Sequence, residues 1–211
     1  MIRLSQRLEN CLEMCPSCQR LIDVGCDHGL LFIAALQRGI CRRALGCDLR
    51  QGPLERAKEN IALYGMGERA ETFLTNGLDG IEPLDGDCVF ICGMGGDNIA
   101  DILKRAEWTK NTAVIAQPMT KQYRLRQFLK DHGYNITKER LCRDPRHFYT
   151  AMRIEKGEYK GEGHMLFSDA MRDDPLFYDY IAMLREKYRA RYEGSRLEKD
   201  GLTYSMLKEL V

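Results

Sequence analysis

The chain lacks any long hydrophobic run, and its apolar stretches are each only a few residues long. A membrane-spanning helix needs about 20 consecutive apolar residues, so the sequence predicts no such helix. Residues 1–5 contain no apolar segment of the kind found in signal peptides, and we expect a cytoplasmic protein. Internal repeats are also missing. With 44% hydrophobic and 30% charged residues, the 211-residue chain has the composition of a folded domain.

Net charge is also small, at +1, and by itself it indicates no particular partner. Its distribution is uneven, because nine bases face three acids between Thr120 and Arg153, whereas six acids and no base lie between Asp79 and Asp101. A neutral protein can therefore present a basic face to a polyanion, although solvated helix surfaces give the same pattern. The nine bases are Lys121, Arg124, Arg126, Lys130, Lys138, Arg140, Arg143, Arg146 and Arg153.

The first 156 residues alternate between short β-branched runs and amphipathic segments. Strands are predicted at 20–25, 43–48, 70–74, 87–92 and 112–117, with Pro118 ending the last, and an antiparallel pair at 134–142 and 148–154. Helices are predicted at 28–38, 53–64, about 97–106 and 121–132. Strands separated by such helices form parallel βαβ units, so we predict an α/β, Rossmann-like sheet covered on both faces. Ligands then bind beyond the carboxyl ends of the strands.

Residues 157–211 are predicted to form a helical hairpin after a glycine-rich linker at 157–163. Asp174-Pro175 suits a helix start, Gly194 interrupts the helical pattern, and Ser195 has capping-box spacing for a second helix ending at 210. The first helix carries one apolar stripe: Phe177, Tyr180, Ile181, Leu184 and Tyr188. Such a hairpin buries little core alone and should pack on the domain formed by residues 1–156, or on a partner.

The loop after the first strand, Asp23–Gly29, combines two glycines with two acids. A glycine turn before a helix lets a ligand approach the backbone. The Gly25-x-x-x-Gly29 spacing differs from the dehydrogenase pattern G-x-G-x-x-G, and Asp23 and Asp27 would repel a pyrophosphate. These acids would attract a cationic ligand with an amino group, such as S-adenosylmethionine; a generic tight turn is the alternative.

Polar or flexible residues also follow the next four strands. Asp48 can accept both ribose hydroxyls, or cap a helix. Asn76 can bond an adenine amino group, or form a simple Asn-Gly turn. The loop Gly93–Gly96 permits close ligand approach, and the Met94 thioether can pack on a flat ring. Gln117 can read a base edge through its amide, or simply end a strand.

Together these motifs resemble the bacterial tRNA (adenine(22)-N(1))-methyltransferase family, within the class I S-adenosylmethionine-dependent methyltransferases. The resemblance covers about residues 2–156 and rests on Leu4–Leu8, Asp23–Gly29, Gly93–Gly96 and Gln117-Pro118. The hairpin matches that family's C-terminal coiled-coil domain in place and size. Asn76 and Met119 depart from the pattern, since the family more usually has aspartate and asparagine there.

The resemblance implies a class I methyltransferase fold, S-adenosylmethionine as donor with S-adenosylhomocysteine as product, and tRNA as acceptor. A monomer is expected, with no DNA or membrane partner. The cofactor is assigned to Asp23, Gly25, Cys26, Asp27, His28, Asp48, Leu49, Asn76, Gly77, Gly93 and Met94. The tRNA is assigned to Arg7, Gly95, Gln117, Pro118, Lys121 and Arg124, and no metal ligand is assigned.

Adenine N1 carries a free lone pair, so transfer needs alignment with the methyl group and no strong base. A carboxylate beside the methylated base would stabilise its positive charge, and Asp27 is the candidate, with His28 orienting it. Because N1 lies on the pairing edge, the target base must leave its stack. The basic segment, with Arg7, would hold phosphates and make binding salt-dependent.

Other interpretations stay open. Cys11, Cys15 and Cys18 have the C-x3-C-x2-C spacing of radical S-adenosylmethionine iron–sulfur enzymes, although a short helix is the alternative. The nine cysteines, odd in number, are otherwise expected to be reduced, and five are expected to be buried near strands: Cys41, Cys47, Cys88, Cys92 and Cys142. A non-catalytic S-adenosylmethionine- or tRNA-binding module and a small-molecule methyltransferase are two further possibilities.

Overall fold

The computed structural model describes residues 1–144, 147–161 and 165–210. Seven strands form one sheet in the order β3-β2-β1-β4-β5-β7-β6, in which β7 runs antiparallel to β5 and β6. The strands are β1 Cys18–Val24, β2 Cys41–Asp48, β3 Ala70–Leu74, β4 Asp87–Gly95, β5 Ala113–Thr120, β6 Tyr134–Asp144 and β7 His147–Lys156. The helices are α1 Gln6–Glu13, α2 Leu30–Gln37, α3 Gln51–Leu63, α4 Gly96–Arg105, α5 Gln122–Asp131, α6 Phe177–Ser195 and α7 Glu198–Glu209.

The predicted α/β sheet is confirmed, including the five parallel strands and the antiparallel closing pair. Successive residues of β1, Leu21 and Ile22, are both fully buried, because helices cover both faces. Leu21 packs with α1, α2 and α3, whereas Ile22 packs with α4 and α5. No helix in the described ranges combines the length and the apolarity that crossing a membrane requires.

The ends of β4 and β5 were predicted wrongly, since β4 continues to Gly95 and Pro118 does not end β5. The strand continues to Thr120, and Pro118 pairs with Met94 at an irregularity in the β4–β5 register. A proline, which has no N–H to donate, is tolerated at such a position. As a result, β5 extends the carboxyl edge of the sheet by three residues beyond the predicted end.

The C-terminal helices pack on the sheet domain, as predicted for the hairpin. The predicted apolar stripe of α6 forms a core with Leu141 of β6 and Phe148 of β7. Asp174 accepts hydrogen bonds from the backbone N–H groups of Leu141 and Leu176, each at 2.9 Å, and so ties the turn before α6 to the sheet. Of the predicted linker, Glu162 and Gly163 lie outside the described residues.

The predicted ends of the two C-terminal helices were wrong. Asp174 does not cap α6, which begins three residues later, at Phe177. Gly194 lies within α6, where an exposed glycine costs only about 1 kcal/mol of helix stability. Ser195 is the last residue of that helix, and its hydroxyl donates to the Arg191 carbonyl at 2.8 Å. The chain turns at Arg196, which has a left-handed φ of 56°.

A buried ion pair joins α5 to the closing hairpin and to the C-terminal segment. The side chains of Arg126 and Glu139 are both fully buried and share two hydrogen bonds. Glu139 also accepts hydrogen bonds from the backbone N–H and the hydroxyl of Ser168, at 3.1 and 2.6 Å. Arg126 therefore cannot contribute to a basic surface, contrary to the prediction, and Arg146 of the same segment lies outside the described residues.

Candidate functional site

A cleft of about 470 Å³ opens at the carboxyl edge of the sheet, beyond β1, β2, β3 and β4. Strand order reverses between β1 and β4, and such switch points are where open α/β sheets bind ligands. Eight of the residues assigned to the cofactor line this cleft: Gly25, Asp27, Asp48, Leu49, Asn76, Gly77, Gly93 and Met94. Asp23, Cys26 and His28 do not lie on its wall.

The first loop has the tight geometry that its glycines predict. Gly25 has a φ of 73°, and a β-carbon there would stand 2.5 Å from the Met94 methyl group. The backbone N–H of Gly25 donates to the Cys47 carbonyl at 2.8 Å, which fixes the loop over β2. A side chain at this position would therefore both strain the backbone and displace Met94.

Asp27 stands at the exposed mouth of the cleft, in the left-handed region with a φ of 46°. One carboxylate oxygen lies 3.4 Å from an Arg56 guanidinium nitrogen, and the other lies 3.5 Å from His28 Nε2. His28 contacts Asp27 as predicted, although it does not reach the cleft wall. The carboxylate thus lies between two basic groups while facing the cleft.

Asp23 and Asp48 are two neighbouring acids at the bottom of the site. Asp23 is buried, and its pKa is raised to about 7 by the loss of solvation and by the nearby Asp48 carboxylate. Asp48 lines the cleft and accepts the Arg50 backbone N–H at 2.9 Å through one oxygen, Oδ1. Two buried acids side by side favour a ligand that brings positive charge.

The predicted loop Gly93–Gly96 is not a loop, because β4 continues to Gly95 and α4 begins at Gly96. Gly93 and Met94 line the cleft, and Gly93 has a φ of 80°. Gly96 instead begins α4, where a β-carbon would stand 2.5 Å from the Lys121 carbonyl oxygen. The last glycine therefore permits close packing of α4 against the segment after β5, which differs from the predicted approach of a ligand.

Sequence analysis missed one wall of the cleft, which α4 supplies through Asn98, Asp101, Ile102 and Arg105. Arg105 bonds both Asp79 and Asp101, and its guanidinium also donates to the Asn76 carbonyl at 3.4 Å. This side chain ties the loop after β3 to α4. The sequence feature that could have indicated this wall is the segment Asp79–Asp101, which has six acids and no base. Arg105 follows four residues after Asp101, at the spacing of an ion pair on a helix.

Most residues assigned to the tRNA already have partners within the chain. Gln117 is fully buried, and its amide oxygen accepts a hydrogen bond from Arg7. Lys121 and Arg124 both contact the Asp97 carboxylate, at 2.5 and 3.3 Å. Pro118 is buried, and Gly95 pairs with Thr120 between the two strands. Their assignment to the tRNA remains a prediction.

A second and larger cleft, of about 690 Å³, lies beside the first, where the end of β5 meets the β6–β7 hairpin and α6. Its wall carries four bases and two acids: Lys121, Arg143, Lys187 and Arg191, with Asp144 and Asp179. Aromatic side chains lie between them: Tyr123, Phe148, Tyr180 and Tyr188. This combination of cations and rings suits a phosphate backbone with unstacked bases.

The cysteine triplet does not converge on one point. Cys11 lies inside α1, which confirms the short-helix interpretation, and Cys18 begins β1. In the described part of the chain, no group of three or more His, Cys, Asp or Glu side chains is arranged to hold a metal ion. Four of the five strand-associated cysteines are buried as predicted, and Cys92 is half-buried at the cleft wall.

Comparison with known proteins agrees with this geometry. The chain is 26% identical over 159 residues to the tRNA (adenine(22)-N(1))-methyltransferase of Bacillus subtilis (strain 168), which covers 74% of this chain and 67% of that protein. The crystal structure of Sp1610 from Streptococcus pneumoniae superposes with a TM-score of 0.88 at 28% identity, covering 98% of this chain and 99% of that one. The same protein has been crystallised with S-adenosyl-L-methionine, and that complex gives a TM-score of 0.87 at 29% identity over the same shares of both chains.

The fold is shared more widely than the sequence. The B. subtilis M1A22 tRNA methyltransferase TrmK superposes with a TM-score of 0.82 at 22% identity, over 99% of this chain and 96% of that one. A family model described as a methyltransferase domain matches residues 4–152, from α1 almost to the end of β7. The chain therefore belongs to the methyltransferase-domain family.

Proposed function

We propose that this protein transfers the methyl group of S-adenosylmethionine to N1 of an adenine in tRNA, at the position corresponding to adenine 22. One observation carries the proposal: an acidic cleft at the switch point and a basic, aromatic cleft lie side by side on the same sheet edge. The first suits a cationic nucleoside and the second a polyanion. The named activity of the B. subtilis relative supports this choice of donor and acceptor.

The residues of the first cleft fit the cofactor by charge and by shape. Asp48 lines the cleft, and its carboxylate would accept the ribose hydroxyls. The exposed amide of Asn76 would meet the adenine amino group, and the backbone of Gly25 and Gly93 would border the ligand closely. When bound, S-adenosylmethionine supplies the electrophilic methyl group.

The protein's own residues would align the adenine with the methyl group and stabilise the positive charge that the adenine gains. An adenine N1 needs no prior deprotonation, so catalysis depends on holding the base in line and on stabilising its new positive charge. Asp27, which lines the cleft, would stabilise this charge. Its partners Arg56 and His28 would hold the carboxylate in position. Gly95, which pairs with Thr120, would leave room for the base because it has no side chain.

The second cleft would hold the tRNA around the target nucleotide. Tyr123 is 53% exposed and offers a ring on which an unpaired base can stack. Lys187 and Arg191 of α6 line this cleft, so α6 would form part of the substrate site. Release of Lys121 and Arg124 from Asp97 would add two more phosphate contacts. Arg7 and the Gln117-Pro118 segment would then position the target adenine from the carboxyl end of β5.

Two matters of organisation belong to the same proposal. We place the boundary between the methyltransferase domain and the helical hairpin at residues 156 and 157, where β7 ends. The protein would act as a monomer in the cytoplasm, where tRNA is modified. Contacts between the two parts, through Asp174 and Glu139, make them a single working unit.

The activity is tested by incubating the protein with methyl-labelled S-adenosylmethionine and unmodified tRNA, followed by nucleoside mass spectrometry. We expect N1-methyladenosine at one position. Cofactor binding without transfer to tRNA would favour a non-catalytic module. Transfer only to small acceptors, with tRNA inert, would favour a small-molecule methyltransferase. Either result would contradict the proposal.

Asp23→Asn is expected to weaken S-adenosylmethionine binding at pH 8 by about tenfold, because it removes a buried negative charge near the cationic ligand. In the wild type, affinity should fall as the pH drops below about 7, where Asp23 becomes protonated. In the variant this pH dependence should disappear. Isothermal titration calorimetry from pH 6 to pH 8.5 measures both effects, and a parallel pH profile in the two proteins would contradict the role.

The same variant should gain stability without ligand. The folded-state pKa of Asp23 lies above the unfolded value near 4, so the folded state binds the extra proton between about pH 4 and pH 7. The contribution of Asp23 to stability therefore falls as the pH rises through that window. Above pH 7, Asp23→Asn should unfold at a higher temperature than the wild type in the absence of ligand.

Lys187→Gln is expected to weaken tRNA binding and to reduce the slope of log K against log salt by about one, since one phosphate contact is lost. Lys58→Gln is a matched control, because Lys58 is an exposed lysine on α3, away from the second cleft. Filter binding between about 50 and 200 mM salt measures the slopes. Equal slopes for wild type and Lys187→Gln would exclude this cleft as the tRNA site.

A further inference from the structure

A group of thiols lies at the opposite edge of the sheet from both clefts, where the parallel strands begin. We define this thiol cluster as Cys15, Cys18, Cys41 and Cys88. Cys18 and Cys41 are register partners at the starts of β1 and β2, and Cys88 is the second residue of β4. Cys15 lies in the short segment between α1 and β1. The proposed methyl transfer uses none of them.

Contacts and exposure distinguish Cys15 from the others. Its sulfur lies 3.7 Å from the Cys88 sulfur, which is the range of non-bonded thiol contact. Cys88 is fully buried and Cys18 and Cys41 are almost so, whereas Cys15 is half-buried. A small oxidant therefore reaches Cys15 first, and Cys88 is then in contact with the oxidised sulfur.

Hydrogen bonding within the cluster favours loss of one proton. The pKa of Cys18 is held below its usual value by the thiols of Cys15, Cys41 and Cys88, and the pKa of Cys15 is raised to about 12, mainly by its hydrogen bond to Cys18. Sulfurs coupled in this way share one negative charge, because a proton can move between them. The thiolate is the reactive form of cysteine.

We propose that the thiol cluster is a site of reversible oxidation, at which a hydroperoxide converts Cys15 and Cys88 into a disulfide. The Cys15 thiolate attacks one peroxide oxygen, the O–O bond breaks, and Cys15 sulfenic acid forms with release of water or alcohol. The Cys88 thiol then attacks the Cys15 sulfur and gives its proton to the departing hydroxide, so that the S–O bond breaks and water leaves. In total two thiols lose two electrons and two protons to one peroxide.

A second thiol pair provides an internal comparison. Cys11 and Cys92 also lie 3.7 Å apart, but Cys11 is fully buried inside α1 and its sulfur donates to the Arg7 carbonyl at 3.3 Å. Cys92 is half-buried like Cys15, and its pKa is raised by its contact with Cys11 and by burial. Cys18, the thiol whose pKa is lowered, has Cys15, Cys41 and Cys88 as its partners and lies outside this pair. We therefore expect the pair formed by Cys15 and Cys88 to react and this pair to remain reduced.

The test is treatment of the reduced full-length protein with hydrogen peroxide, alkylation of the remaining thiols, and non-reducing peptide mass spectrometry. Trypsin leaves Cys11, Cys15 and Cys18 on one peptide and Cys88 and Cys92 on another. Additional cleavage after Glu13 and Phe90 separates Cys11 from Cys15 and Cys88 from Cys92. We expect a peptide linked through Cys15 and Cys88, two hydrogens lighter than its parts, that dithiothreitol releases.

Variants make the assignment specific. Cys15→Ser should abolish the linked peptide, whereas Cys18→Ser and the distant control Cys142→Ser should retain it. Circular dichroism of each variant shows that the fold is kept. A disulfide between Cys15 and Cys18, a link between Cys11 and Cys92, or conversion of Cys15 to the sulfinic acid without any link would each overturn the proposal. So would recovery of all nine cysteines in alkylated form.

Discussion

Asp27→Asn is expected to lower the rate of methyl transfer to tRNA by about 10³-fold while leaving S-adenosylmethionine affinity within a few-fold. Loss of one preorganised group that stabilises charge in the transition state typically costs about 10²–10³ in rate. Asparagine is preferable to alanine here, because Asp27 has a φ of 46° and asparagine tolerates the left-handed region. Asp27→Ala should show the same loss, with added backbone strain.

Single-turnover kinetics with saturating tRNA measures the rate, and calorimetry measures cofactor affinity. Asp85→Asn is a matched control, since it removes one exposed carboxylate in the loop that precedes β4, at the opposite edge of the sheet. Its rate should equal that of the wild type. If Asp27→Asn retained full activity, the new charge on adenine would have to be stabilised by another group.

Glu139→Ala is expected to destabilise the fold by about 3–5 kcal/mol, the usual cost of leaving a buried charge without its partner. Burial alone would lower the pKa of Arg126, and Glu139 more than offsets this, so Arg126 stays charged. Removal of Glu139 leaves that charge buried and also deprives Ser168 of its acceptor. For a chain of this size the midpoint of thermal unfolding should fall by about 10 °C.

The double variant Arg126→Met/Glu139→Leu separates the pair from the packing around it. Apolar residues of similar volume remove both charges, so most of the lost stability should return. Urea unfolding monitored by circular dichroism measures the free energy of all three proteins. If the double variant were no more stable than Glu139→Ala, the loss would come from the cavity and the Ser168 contacts and not from the unpaired Arg126.

The sheet and the acidic cleft were predictable because they rest on local patterns. Runs such as Arg20–Gly25 specify buried strands by composition, and a parallel sheet necessarily brings the loops after its strands to one edge. Residues far apart in sequence, such as Asp27, Asp48 and Gly93, therefore meet without any knowledge of side-chain contacts. Their spacing also excluded a pyrophosphate-binding loop.

The features that were missed depend on contacts between distant segments. The sequence around Arg126 predicts an exposed basic residue, as it does for Arg124. Only the contact with Glu139, 13 residues away in the chain, shows that Arg126 is buried. Gln117 is likewise held by Arg7, which is 110 residues away in the chain. The predicted stop at Pro118 failed because a register irregularity in the neighbouring strand accommodates a residue without an N–H. The helix continues past Gly194 because an exposed glycine costs it only about 1 kcal/mol, which the local pattern overstated.

The apolar core shared by the β6–β7 hairpin and α6 limits how this protein can be shortened. Leu141 and Phe148 belong to the first 156 residues, yet their packing partners are Phe177, Tyr180 and their neighbours on α6. A fragment ending at the proposed boundary would expose these side chains to water as a continuous apolar surface, and such surfaces promote aggregation. A shortened chain would therefore need polar residues in place of Leu141 and Phe148 on the β6–β7 hairpin.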